Sequence, residues 1–134
     1  DGLQAAILSV KLPYIQEWSK QRLENSKIYN ALLADSDNVA TPQIHPKVKH
    51  VFHLYVIRTE KRDQLQKYLK ENGVITGVHY PTPLPFLKAY SYLNYTPNDF
   101  PISFDYKDKI LSLPMYPELT SEHIEYIINK INTI

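Results

Sequence analysis

HVFHLYVIRTEKRDQLQKYLKENGVITGVHYPTPLP, residues 50–85, is the stretch that decides the fold class. Its first part, His50 to Arg58, is dense in β-branched and aromatic residues, the composition of a buried strand. From Lys61 to Asn72 the period changes. Leu65 and Leu69 stand four apart among charged residues, so they share one face of a helix. Gly73 follows where a helix C-cap needs a left-handed backbone. Val74 to Tyr80 (VITGVHY) returns to strand composition. The run Pro81 to Pro85 (PTPLP) then ends it, because proline has no N–H and a fixed φ. Strand, helix, strand within one short segment is the local signature of an α/β layer.

Working outward, the C-terminal side continues the alternation. Phe86 to Leu93 reads as a short helix with aromatic anchors, and Asn98 to Pro101 as a turn. Ile110 to Met115 (ILSLPM) reads as a third short strand, closed by Pro114 and Pro117. The last helix starts at Thr120 as N-cap and carries Ile124, Ile127, Ile128 and Ile131 in one stripe. On the N-terminal side, Leu3, Ala6, Ile7 and Val10 fall at helical spacing, while Ala5, Leu8 and Leu12 fill the other faces. A helix apolar nearly all round needs burial on more than one side. The chain is therefore expected to be part of a longer protein that precedes it. Pro13 opens a second helix that runs to Leu33 with Trp18, Tyr29 and Leu32; its stripe is noisy, since Arg22 and Asn25 fall on the same face. Asp35 to Pro46 reads as a loop. The expected architecture is α/β in two layers (α+β): one small sheet of about three or four strands with helices packed on one face. Residues 1–34 are expected to be connecting helices and residues 35–134 a small α/β domain.

Composition narrows the function. The 134 residues carry 15 basic and 14 acidic side chains, formal charge +1, so no electrostatic footprint for nucleic acid or an anionic membrane is expected. No apolar run reaches membrane-spanning length, and no signal peptide opens the chain. The absence of Cys excludes a disulfide framework and a thiolate metal site, and makes a reducing, cytoplasmic setting the expected one. The three glycines, Gly2, Gly73 and Gly77, form neither a dinucleotide fingerprint nor a P-loop, so a phosphate cradle is expected elsewhere.

Candidate chemistry concentrates at one turn. His50 and His53, three apart on an expected strand, point to opposite faces and cannot share a metal ion. His45 and His123 sit in a loop and at a helix start, both expected in solvent. Asp105, Asp108 and Glu118 could form a carboxylate cluster, but scattered acids usually form a solvated face. His79 differs: it ends a strand beside Tyr80, just before a rigid Pro-rich turn, where binding groups are commonly held. A half-buried strand end is the bland alternative. No catalytic nucleophile, general base or Schiff-base lysine is visible from spacing, and no metal site is expected.

The ordered blocks also carry a family resemblance. DGLQAAIL (Asp1–Leu8) resembles the segment that follows an Asn-x-Arg motif in the sugar aminotransferases of the DegT/DnrJ/EryC1/StrS family. HVFHLYVIR (His50–Arg58), RDQLQKYLKENGVITGVHYPTPLP (Arg62–Pro85), NDFP (Asn98–Pro101) and LSLPMYPELT (Leu111–Thr120) resemble that family's C-terminal blocks in order and spacing. The resemblance implies a pyridoxal 5'-phosphate enzyme of the aspartate-aminotransferase fold, a homodimer, that moves an amino group from L-glutamate onto a nucleotide-linked keto-sugar. It further implies that a large N-terminal domain holds the cofactor and its Schiff-base lysine, and that a small C-terminal domain, which this chain resembles, closes one side of the active site. His79 and Tyr80 match the family's G-[IV]-H-Y-P block, which faces the substrate side of the cleft. Asn98 stands where the family commonly has Gly, and Ile102 to Asp108 is unlike the family's Ala/Glu-rich helix.

Three functions compete on this reading. The first is the C-terminal domain of a sugar-nucleotide aminotransferase, inactive alone. The second is a stand-alone ligand-binding or regulatory α/β module, and the third a purely structural interaction domain. The ordered motif blocks favour the first.

Overall fold

Two strands, β1 (Tyr55–Arg58) and β2 (Ile110–Leu113), pair antiparallel with Tyr55 opposite Leu113 and Arg58 opposite Ile110. The computed structural model describes residues 1–134 and adds one backbone bridge on each outer edge, Ala40 to Arg58 and Gly77 to Ser112. The sheet thus has two strands where about three or four were expected, and the outer two segments touch it at one residue pair each. Proline stops each bridge on one side. In antiparallel register the hydrogen-bonding pairs there would be Pro42 with Val56 and Ile75 with Pro114, and each contains a residue without an N–H. The strand expected from His50 starts only at Tyr55 because Phe52 takes a left-handed backbone (φ 47°) and gives its N–H to His50 Nδ1 at 3.0 Å. His50 and His53 therefore precede the strand rather than lie on it. The strand expected over Val74–Tyr80 is reduced to the Gly77 bridge.

Side chains alternate across the sheet, so Tyr55, Ile57, Leu111 and Leu113 share the inner face, and all four are buried. Three helices cover that face: α2 (Ile15–Leu32), α3 (Arg62–Glu71) and α5 (Ser121–Ile131). The stripe of α5 is buried at all four expected isoleucines, and Thr120 Oγ1 accepts the His123 N–H at 3.3 Å as its N-cap. In α3, Leu65 and Leu69 are buried, and Gly73 (φ 78°) closes the helix as expected. The noise in α2 also has a structural reason. Asn25 is buried because its Nδ2 donates to the Tyr116 carbonyl at 3.1 Å, so a polar residue on the core face is satisfied. Tyr29 of α2 stacks on Tyr55 of β1 at 4.6 Å, and their hydroxyls donate to Pro114 O at 3.0 Å and Asn30 Oδ1 at 2.6 Å. Burial pushes both phenol pKa values well up.

α1 (Gly2–Lys11) is capped by Asp1, whose carboxylate accepts the Gln4 N–H at 2.9 Å. None of its side chains is buried, and Leu3, Leu8 and Val10 stand in solvent. The turn around Pro13 is 3₁₀ (Leu12–Tyr14) and links α1 to α2 with helical angles throughout. The short helix expected over Phe86–Leu93 is replaced by two 3₁₀ turns, Leu84–Phe86 and Lys88–Leu93, and a short α4 (Pro101–Tyr106) follows with Pro101 in its first turn. Asn98 does not need the conformation of the Gly it replaces: the only non-Gly residues with positive φ are Phe52 and Asn94. No helix is long and apolar enough to cross a membrane.

Candidate functional site

The outer face of the sheet, away from the three helices, carries Val56, Arg58, Ile110 and Ser112. Ser112 is only 4% exposed although it faces away from the core. The segment after α3 covers it. Gly77 N–H and C=O bond to Ser112 O and N at 3.1 and 2.7 Å, which carries the chain across β2. Two residues on, His79 lies on the same face, and its Nδ1 is 2.9 Å from Ser112 Oγ. The ring occupies space that a side chain at 77 would need, since a Cβ there would fall 2.6 Å from His79 Cε1. Tyr80 follows through a cis peptide, sets its ring edge-on to His79 at 5.6 Å, and is 73% exposed.

Tyr80 also rims an apolar groove of about 590 Å³, walled by Pro81, Pro83 and Leu84 on one side and by Ile102, Tyr106 and Lys107 on the other. The segments that wall it also carry an aromatic cluster in which Phe86 meets Phe104 edge-on at 5.3 Å and Phe100 meets Tyr95 at 5.0 Å. Behind it, Arg58 donates to Tyr106 Oη and lies over that ring at 4.6 Å, with no carboxylate partner. The NDFP turn is fixed by Asp99, whose carboxylate accepts the N–H and hydroxyl of Thr96 at 2.7 and 2.8 Å. Those two hydrogen bonds hold its pKa below the usual carboxylate range.

The structure separates the other candidates. No three His, Asp or Glu side chains come together as ligands for a metal ion. Asp105 pairs with Lys109 at 2.8 Å and Asp108 with Lys107, so the carboxylates contemplated with Glu118 are two separate ion pairs. His45 takes the Lys47 N–H at 3.2 Å. Sequence reasoning singled out His79 and Tyr80 but missed Gly77 and Ser112, the residues beneath them. Alternation sets Ser112 on the face opposite Leu111 and Leu113 and Gly77 on the face of His79, but it carries no signal that the two segments meet.

The sequence model of the DegT/DnrJ/EryC1/StrS aminotransferase family matches residues 1–132. The chain belongs to this family. It is 43% identical over 133 residues to a pleiotropic regulatory protein of Geobacillus stearothermophilus, covering 98% of this chain and 36% of that protein. It is 36% identical to the dTDP-3-amino-3,6-dideoxy-alpha-D-galactopyranose transaminase of Aneurinibacillus thermoaerophilus, with 98% and 36% covered. Among solved structures, DesV of S. venezuelae in complex with a ketimine intermediate superposes with TM-score 0.89 at 29% identity, over 97% of this chain and 35% of DesV. The chain therefore spans about a third of the length of the family members it matches.

The residues of this chain do not by themselves form a pyridoxal phosphate site. Gly73 closes a helix, Gly77 lies under His79, and Gly2 opens α1 behind the Asp1 carboxylate, so no glycine builds an anion cradle. Lys107, the lysine that lines the groove, is ion-paired to Asp108. What this chain offers is a fixed imidazole, an exposed phenol ring and an apolar groove beside them.

Proposed function

We propose that this chain is the C-terminal domain of a pyridoxal-phosphate-dependent sugar aminotransferase and lines the substrate side of its cleft. The complete enzyme moves an amino group from L-glutamate to a nucleotide-linked keto-sugar, works as a cytoplasmic homodimer, and holds its cofactor through residues outside this chain. The observation that carries the reading is the family match across residues 1–132 in a chain that supplies about a third of such an enzyme. The exposed faces of α1 support it, because residues 1–34 then serve as connecting helices, α1 reaching toward a cofactor domain and α2 packed on the sheet.

When bound, the cofactor supplies the electron sink for amino transfer. The residues here bind and orient. The Tyr80 ring gives a flat apolar surface for a sugar face, and the Pro-rich turn keeps it in place. The His79 ring, held from behind by Ser112, presents its far edge to the substrate. Neither acts as the nucleophile. Loss of one hydrogen bond to substrate costs about 0.5–1.5 kcal/mol, so His79→Ala in the full-length enzyme lowers kcat/KM about ten-fold, while folding survives. Tyr80→Phe is milder. Unchanged kcat/KM in His79→Ala returns this residue to the role of a structural strand end.

The regulatory name of the Geobacillus relative favours a second reading, a ligand-sensing protein on the same fold. Turnover with a keto-sugar nucleotide separates the two.

A further inference from the structure

We infer that Ser112 is a positioning residue that fixes the ring and the tautomer of His79, and so decides which kind of atom His79 recognises. The inference rests on the proposal that His79 faces the substrate. Its geometry does not.

Ser112 sits on β2 with its hydroxyl turned away from the core, yet it is 4% exposed, and His79 Nδ1 at 2.9 Å is the one hydrogen-bond partner of that hydroxyl. Two arrangements are open. If Nδ1–H donated to Oγ, the serine proton would be left buried without an acceptor. If the hydroxyl donates to Nδ1, only oxygen lone pairs go unused. Orphaned buried donors are rarer than under-used acceptors, because an acceptor oxygen has capacity to spare. The hydroxyl therefore donates, Nδ1 accepts, and the neutral imidazole carries its proton on Nε2. Nε2 makes no hydrogen bond within the chain and belongs to an exposed residue, so it is the free edge of the ring.

Gly77 completes the device. A Cβ there would stand 2.6 Å from Cε1 and push the ring off Ser112. The bridge that joins Gly77 to the Ser112 backbone keeps both supports in register with the ring. His79 thus presents an N–H donor at a fixed place, and its partner on the substrate is an acceptor: a sugar oxygen or a phosphate oxygen of the sugar nucleotide, not a donor such as an ammonium.

Histidine-selective ¹⁵N NMR of this chain reads the protonated nitrogen directly. The expected result is a proton on Nε2 of His79. The Nδ1 resonance moves in Ser112→Ala and returns in Ser112→Thr. Gly77→Ala, which retains both hydrogen-bonding groups, moves the same resonance by displacing the ring. A proton on Nδ1 in the unsubstituted chain overturns the proposal, as does an Nδ1 resonance that neither Ser112→Ala nor Gly77→Ala moves. These readouts need no turnover and stand apart from the aminotransferase reading. In the full-length enzyme, Ser112→Ala lowers kcat/KM for the keto-sugar nucleotide about two- to ten-fold, and Ser112→Thr recovers most of it. If the NMR results hold while kcat/KM stays unchanged in both Ser112→Ala and His79→Ala, the substrate-facing part of the proposal falls.

Discussion

Tyr29→Phe tests how the helices hold the sheet. Tyr29 is fully buried, and its hydroxyl donates to the Pro114 carbonyl at 3.0 Å. The substitution keeps the ring, and with it the 4.6 Å stack on Tyr55, so no cavity of ring size forms. What is lost is one hydrogen bond, and what is left is a half-buried Pro114 carbonyl without its partner. A lost bond contributes about 1 kcal/mol and a partly shielded acceptor without a partner adds to it, so the expected cost is about 1–2 kcal/mol. For a chain of this size that lowers Tm by about 3–10 °C. Tyr55→Phe is the control. Its hydroxyl bonds the side chain of Asn30, which can turn to water as the fixed Pro114 backbone carbonyl cannot, so the cost falls to about 0.5–1 kcal/mol. Differential scanning calorimetry of both variants measures the contrast. Pro114 follows Ser112 and Leu113, so hydrogen exchange in Tyr29→Phe quickens first at the amides of residues 112 and 113. An unchanged Tm for Tyr29→Phe, or a larger loss for Tyr55→Phe, refutes this account of the core.

The same pair of tyrosines sets a pH dependence. Both pKa values are raised by burial, so the folded state keeps protons that the unfolded state releases, and stability present below about pH 10 is lost as pH rises above it. The Tyr29→Phe, Tyr55→Phe double variant flattens that alkaline loss, as urea melts between pH 9 and about 11 check. The exposed α1 predicts concentration-dependent association of the isolated chain, which Leu8→Glu weakens in sedimentation velocity without lowering Tm, since Leu8 is 64% exposed.

The helices were the most legible part of the chain. In α5 the four isoleucines repeat without interruption and Thr120 marks the start, so pattern and cap agree. In α3 the cap glycine fixed the end. The strands were harder, because composition reports burial but not pairing. His50 to Leu54 has strand composition, yet a left-handed Phe52 and its hydrogen bond to His50 break the extension. On one side of each bridge Pro42 and Pro114 fall at hydrogen-bonding positions and stop the pairing, and that is visible only once the register is known. The site divides the same way. His79 and Tyr80 were legible from their place before PTPLP. Gly77 and Ser112 were not, since they meet through a bridge between residues 35 apart in sequence. Ser112 read as one polar residue in a strand until the structure set His79 over it.

Amino transfer by the complete enzyme tests the central claim most directly. The full-length protein, supplied with pyridoxal phosphate, L-glutamate and a nucleotide-linked keto-sugar, is followed by mass spectrometry of the sugar product and by 2-oxoglutarate release. The account predicts an amino-sugar nucleotide formed in step with 2-oxoglutarate, and none from the isolated 134-residue chain. Turnover by the isolated chain, or a full-length protein that binds keto-sugar nucleotides but aminates none of them with any amino donor, contradicts it.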